Sequence, residues 1–250
     1  MDVYWIISFF VLGILFGSFF NVVGLRFPKK LPFHNDRSFC PSCKSQLNWY
    51  ELIPILSYIM QRGKCRDCRT TISFMYPFIE AATGCLFMFS YIKIGLKLEL
   101  LTALLLVSML MILFVTDVMY MLIPNKILLF FLPLFVIMRM ISPLDPWYDA
   151  IFGAVSGFSF IALIILFSKG GMGGGDMKLF GVLGIVLGWQ NTLLTFFIAV
   201  FLGAIIGGAF MLIKKVKKRQ AIPFGPYIVV GALMSYFYGE QIVTIYVSLL

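Results

Sequence analysis

The feature that most limits what this chain can fold into is a succession of apolar runs. They lie near residues 3–25, 74–95, 98–116, 123–142, 150–167, 177–190, 191–213 and 223–239. About twenty apolar residues suffice to cross a bilayer as a helix, and in hydrocarbon only a helix or a closed barrel satisfies its own backbone. Hydrophobic residues make up 61% of the chain and charged residues 12%, against about half and about a quarter in a soluble domain. The expectation is an all-α polytopic membrane protein with about eight transmembrane helices. The first run has no basic segment before it, exceeds the core of a signal peptide and is followed by no small-residue cleavage site, so it reads as a retained span. The sixth run is short and rich in glycine, which leaves its ends open. No internal repeat and no low-complexity segment is evident.

A net charge of +9 raises the question of nucleic acid, but the placement of the charge points to membrane topology instead. Arg26, Lys29, Lys30, Arg37, Lys44, Arg62, Lys64, Arg66 and Arg69 fall between the first two runs, and Lys214, Lys215, Lys217, Lys218 and Arg219 between the last two. With eight spans threaded in order, Lys126, Lys169 and Lys178 join them, so only Lys93, Lys97 and Arg139 are left opposite. One missed span would put the two basic loops on opposite sides. Because basic loops stay cytoplasmic, the sequence predicts a multi-pass protein of the cell membrane, held by lipid, with both termini outside. The one long polar segment, about 27–73, is then a cytoplasmic loop, and no direct nucleic-acid contact is expected.

That loop holds two C-x-x-C pairs, Cys40 with Cys43 and Cys65 with Cys68, separated by 21 residues. Four thiolates at this spacing suit tetrahedral zinc in a zinc-ribbon knuckle, a closed and therefore structural site. Four reduced cysteines or two reversible disulfides are the alternative. Lys44, Lys64, Arg66 and Arg69 would offset the negative charge of such a centre. His34, the only histidine, is not needed as a ligand and reads as a solvated loop residue.

Two aspartates mark the cytoplasmic edge of the membrane in this topology. Asp117 ends the third span in "FVTDVMYMLIPN", and Asp176 opens the sixth in "GGMGGGDMKLF". A carboxylate at this depth is expensive and points to function. Two close carboxylates cannot both ionise cheaply, so one can take a proton from water while the other gives one to a carbonyl oxygen. That is aspartic-protease chemistry, without a covalent intermediate or a catalytic metal. The bland alternative is that Asp176 caps its helix, where the dipole favours an anion. Gly173, Gly174 and Gly175 favour chemistry, because they let the backbone bend and let a peptide come close. Gly173 and Gly175 are thus candidate parts of a substrate niche.

Gly173-x-Gly175-Asp176 resembles the GxGD motif of membrane aspartic proteases. With Asp117 followed by Pro124 and Asn125, the likeness is to the type IV prepilin peptidases. Presenilin-type proteases carry a tyrosine before the first aspartate and a Pro-Ala-Leu motif; here Thr116 precedes Asp117 and no such motif occurs. "GSFFNVV", "ELIPILSY", "RGKCRDC" and "ISFMYPFIE" extend the resemblance over nearly the whole chain. It is most similar to the late-competence branch of Gram-positive bacteria, which serves DNA uptake. The resemblance implies a membrane endopeptidase that removes the short basic leader of type IV prepilins or competence pseudopilins at the cytoplasmic face. It further implies possible N-methylation of the new terminus from S-adenosylmethionine, although the loop shows no cofactor fingerprint. Glu51 matches an acidic position of the family and is a candidate substrate contact, with a solvated loop carboxylate as its alternative. Glu80, just inside the second span, is a candidate partner for a loop arginine or a lining of the substrate path.

The expected organisation is an N-terminal region, 1–95, with the first two spans and the four-cysteine loop, followed by a membrane-embedded peptidase core, 96–250. Two readings of other classes stand beside it: a non-enzymatic zinc-loop scaffold for pilus assembly, and a proton-coupled transporter using Asp117 and Asp176 as a relay. Loss of leader cleavage on losing either aspartate would separate them.

Overall fold

The computed structural model describes residues 3–29, 38–40, 42–168, 172–212 and 223–248. His34, Lys30, Arg37, Lys169 and the basic run at 214–219 lie outside the described residues. The described chain is helical, with α1 (Val3–Arg26), a 3-10 turn at Trp49–Leu52, α2 (Leu56–Met60), α3 (Met75–Ile94), α4 (Leu98–Tyr120), α5 (Asn125–Ile141), α6 (Asp149–Phe167), α7 (Gly174–Leu212) and α8 (Gly225–Ser248). Helices α1, α4, α6, α7 and α8 are each long and apolar enough to cross a bilayer. Of the other two long helices, α5 has 17 residues and α3 carries Glu80 and Lys93.

The sixth and seventh expected spans are joined in α7, which breaks at Gly188 with φ 76° and ψ 175°. Along a straight helix Phe180 and Phe196 would lie about 24 Å apart, yet their ring centroids are 6.1 Å apart. The two halves therefore fold back on each other, and Gly188 is the corner of a helical hairpin. Asp149 accepts a hydrogen bond from the Trp189 N–H at 3.2 Å, and Arg139 donates to the Val186 carbonyl at 2.6 Å. These side chains serve backbone groups that a helix end leaves without partners. Each of the eight expected spans thus corresponds to one helical segment.

The chain divides into two compact units, Met1–Leu100 and Leu101–Leu250. In the first, α1 and α3 pack antiparallel through small residues. A Cβ on Gly13 would lie 2.6 Å from the Thr83 carbonyl oxygen, and one on Gly17 would lie 2.8 Å from the Glu80 Cα. In the second, Gly153 of α6 and Gly184 of α7 bring two backbones together so closely that a Cβ on Gly184 would lie 2.1 Å from the Gly153 oxygen. Helix association in lipid relies on such close packing, because lipid tails are as apolar as leucine.

The cysteine loop corrects the expectation that the chain has no internal repeat. In the first half, Cys40 N–H bonds to Ser45 O at 2.9 Å, Lys44 N–H to Cys40 O at 2.9 Å and Leu47 N–H to Ser38 O at 2.8 Å. Moving each number up by about 25 (spacing of the two pairs) reproduces the second half: Cys65 to Thr70 at 2.8 Å, Arg69 to Cys65 at 3.0 Å and Ile72 to Gly63 at 2.8 Å. Lys44 and Arg69 both take left-handed backbone, with φ 61° and 60°. The repeat extends to side chains, because Ser45 and Thr70 place a hydroxyl 3.0 and 3.2 Å from the sulfurs of Cys43 and Cys68.

Candidate active site and metal centre

Asp117 is placed by the end of α4. Met121 N–H closes the last turn on the Asp117 carbonyl at 2.8 Å, and Met121 then takes φ 51°, the left-handed conformation that terminates helices. Pro124 follows and leads into α5. The Asp117 side chain is 7% exposed, and its Oδ2 accepts a 2.7 Å bond from the Gly225 N–H at the start of α8, where a helix end favours an anion. A Cβ on Gly225 would fall 2.6 Å from that oxygen, so only glycine fits. Sequence reasoning missed Gly225. Its one signal, a glycine before Pro226 at the start of a span, is common at any helix entry.

Asp176 sits in the first turn of α7 and is 9% exposed. Its Oδ2 accepts from the Gly173 N–H at 3.0 Å, the return half of a capping box. The capping alternative is thus realised, and among the described residues it occupies only one oxygen of the carboxyl. The two aspartates come from different helices, and the segments that carry them are joined at two points: Ile123 packs on Gly175, and Lys178 Nζ donates to Asn125 Oδ1 at 3.1 Å. Asn125 was expected to belong with Asp117, and here it ties that turn to the Asp176 helix.

The glycines use less conformational freedom than expected. None of Gly173, Gly174 and Gly175 takes positive φ. What approaches Gly175 is the chain itself, since a Cβ there would lie 2.9 Å from the Ile123 Cβ. Gly174, by contrast, has no atom of the described residues within 4 Å of where its Cβ would be. The open face of the motif is therefore at Gly174.

The four thiols of the loop form a separate cluster in the first unit. All four sulfurs lie within 4.8 Å of one another, with Cys40–Cys68 at 3.8 Å and Cys43–Cys65 at 4.0 Å. A tetrahedral site with Zn–S bonds near 2.3 Å has sulfur–sulfur edges of about 3.8 Å, so the cluster fits a metal ion of that kind. Backbone N–H groups of Cys43 and Ser42 point at the Cys40 sulfur and lower its pKa. The Thr70 hydroxyl and N–H bring Cys68 down to about 6. At Cys65 the N–H groups of Cys68 and Asp67 also lower the pKa, but burial and the neighbouring Cys40 and Cys68 thiols outweigh them and push it up to about 11. Such N–H···S bonds favour thiolates, the form that binds metal.

Glu51 and Glu80 each accept a backbone hydrogen bond from the loop. Glu51 closes a capping box on Asn48 N–H at 2.8 Å. Glu80, 7% exposed, accepts from the backbone N–H of Ile55 at 2.8 Å and bonds Ser18; no loop arginine is its partner among the described residues. A cavity of about 340 Å³ lies beside Glu51, lined among others by Tyr50, Arg62, Lys64, Arg66 and Arg69.

Residues 11–94 match the profile of the bacterial peptidase A24 N-terminal domain, and residues 104–208 that of the type IV leader peptidase family. The chain is 46% identical to a prepilin leader peptidase/N-methyltransferase of Bacillus subtilis, over 96% of this chain and 97% of that one. Proteins of the same name from Stutzerimonas stutzeri and Pseudomonas aeruginosa are 33% and 32% identical, each over 95% of this chain and 92% of theirs. No solved structure matches.

Proposed function

The chain belongs to the type IV leader peptidase family, and from that premise we propose that it is a membrane aspartic endopeptidase that removes the leader of prepilins or competence pseudopilins. The observation that carries this reading is that two buried aspartates, Asp117 and Asp176, stand on separate helices whose segments touch, through Ile123 on Gly175 and Lys178 on Asn125. Asp117 is held by Gly225 N–H and Asp176 by Gly173 N–H, so each carboxyl is fixed through one oxygen. The remaining oxygens take the acid and base duties: one carboxylate removes a proton from the attacking water while the other, protonated carboxyl gives its proton to the scissile carbonyl oxygen. The first then passes the water's proton to the leaving amine as the second takes its own back from the collapsing diol. Helix ends next to both groups fix the charge without reorganisation. The substrate backbone lies along the open Gly174 face. The peptidase chemistry belongs to residues 96–250, and the site faces the cytoplasm, where a membrane-held prepilin would present its basic leader.

The four cysteines bind one structural zinc that folds the loop of the 1–95 region and takes no part in cleavage. N-methylation of the new terminus accompanies cleavage, as the names of the relatives suggest, with S-adenosylmethionine as the methyl donor. The loop cavity does not fit that donor. Arg62, Lys64, Arg66 and Arg69 face it against one carboxylate, Glu51, and a sulfonium compound of net positive charge would be repelled. Co-expression with a leader-bearing prepilin tests the reading. A shift of the pilin on a gel, with mass analysis of its new N-terminus, reports leader removal and methylation separately. An unshifted pilin beside well-inserted enzyme would favour the scaffold or the transporter.

A further inference from the structure

Residues 49–60 lie outside the long spans, yet their large apolar side chains point outward. Leu56, Ile59 and Met60 are 57%, 63% and 79% exposed, and their spacing puts them on one face of α2. Trp49, Leu52 and Phe74 are exposed as well. A patch of this kind marks an interaction surface.

Its depth is fixed by Glu80. That carboxyl stands about 7.5 Å along α3 from Met75, at 1.5 Å per residue, and it holds the backbone N–H of Ile55, the residue before α2. Ile55 has φ 61°, a conformation β-branched residues avoid, so the attachment is specific. The apolar face is therefore tied near the start of α3, which packs along α1, a helix long and apolar enough to cross a bilayer. Beside it lies the cationic cavity, and Met60 belongs to both. The tendency of basic loops to stay on one side accounts for the number of cations, but not for four of them gathered at the edge of an apolar patch. The segment from Arg26 to Arg69 carries nine Lys and Arg against Asp36, Glu51 and Asp67, and four zinc-bound thiolates would still leave it basic. A basic leader peptide would be repelled here. Apolar side chains next to cations are what an interfacial element offers an anionic leaflet.

We propose that the segment 49–60 is an interfacial anchor whose apolar face enters the acyl-chain boundary beside α3, with Arg62, Lys64, Arg66 and Arg69 holding phosphates of anionic lipid. The full-length protein, with Trp5, Trp49, Trp147 and Trp189 replaced by Phe and carrying Ile59→Trp, is reconstituted in phosphatidylglycerol/phosphatidylcholine vesicles. Acyl-brominated lipid should quench the introduced indole severalfold more than aqueous iodide does. Replacing the four cations by Gln should lower that quenching to the level seen in pure phosphatidylcholine. Leu56→Trp serves as a second reporter if the first fails to insert. Iodide quenching without bromolipid quenching would overturn the anchor and leave the patch for a soluble partner or the substrate. Bromolipid quenching that is equal in the two lipids and insensitive to the Gln changes would overturn the assignment of the cations to phosphate.

Discussion

The tightest constraint on any single residue near the aspartates is at Gly225. A methyl group there would meet Asp117 Oδ2 at 2.6 Å and push the carboxyl off the N–H that holds it. Gly225→Ala is expected to lower leader cleavage about tenfold or more, since about 1.4 kcal/mol of lost transition-state stabilisation suffices. Membrane level and metal content should stay normal. The cleavage rate in matched membranes is the measurement, and a normal rate would remove Gly225 from the positioning of Asp117. The glycines before Asp176 divide into two cases. Gly175→Ala strikes Ile123 and should cost both stability and activity. Gly174→Ala meets no atom of the described residues, and alanine favours a helix over glycine by about 1 kcal/mol, so the folded protein should be no less stable. A large loss of cleavage by Gly174→Ala, with thermal stability retained, would report a substrate lying on that face. An unchanged rate would mean that nothing lies there. The sequence singled out this motif but could not divide it, because which glycine faces the chain and which faces open space depends on the turn at Ile123.

At the scale of elements, two devices shape the molecule. The first is the hairpin corner at Gly188, where φ is 76° and a Cβ would fall 2.0 Å from Asp149 Oδ2. Gly188→Ala should destabilise the protein by about 1–3 kcal/mol, read as a lower melting temperature in detergent. An unchanged melting temperature would mean the corner relaxes freely. The second is the pair of cysteine knuckles. Purified protein should carry about one zinc per chain, and Cys40→Ser and Cys65→Ser, at equivalent positions of the repeat, should lose metal and stability alike. Metal-free protein with a fully folded loop would contradict this. The spans were legible because apolar run length is a property of sequence alone. The knuckle repeat was not, because its two halves are short, share few identical residues besides the cysteines, and are matched chiefly by main-chain hydrogen bonds. Glu80 was legible as a costly buried charge, but its partner, the backbone of Ile55, leaves no mark on sequence.

For the whole molecule, the family, the helical fold and the cysteine cluster are legible in the order of the residues. The aspartates stand out because carboxylates are rare at membrane depth, whereas their neighbours Gly225 and Ile123 are residues of ordinary type in ordinary places. The central claim is that Asp117 and Asp176 together perform the cleavage, each with a separate proton-transfer duty. It is tested most directly by the rate of leader removal from one prepilin in membranes holding equal amounts of wild type, Asp117→Asn and Asp176→Asn, with metal content matched. Asparagine keeps the shape of the side chain and its bond to the backbone N–H but cannot exchange protons, so each variant should lose cleavage to background while inserting and accumulating normally. Near-normal cleavage by either variant would contradict the claim.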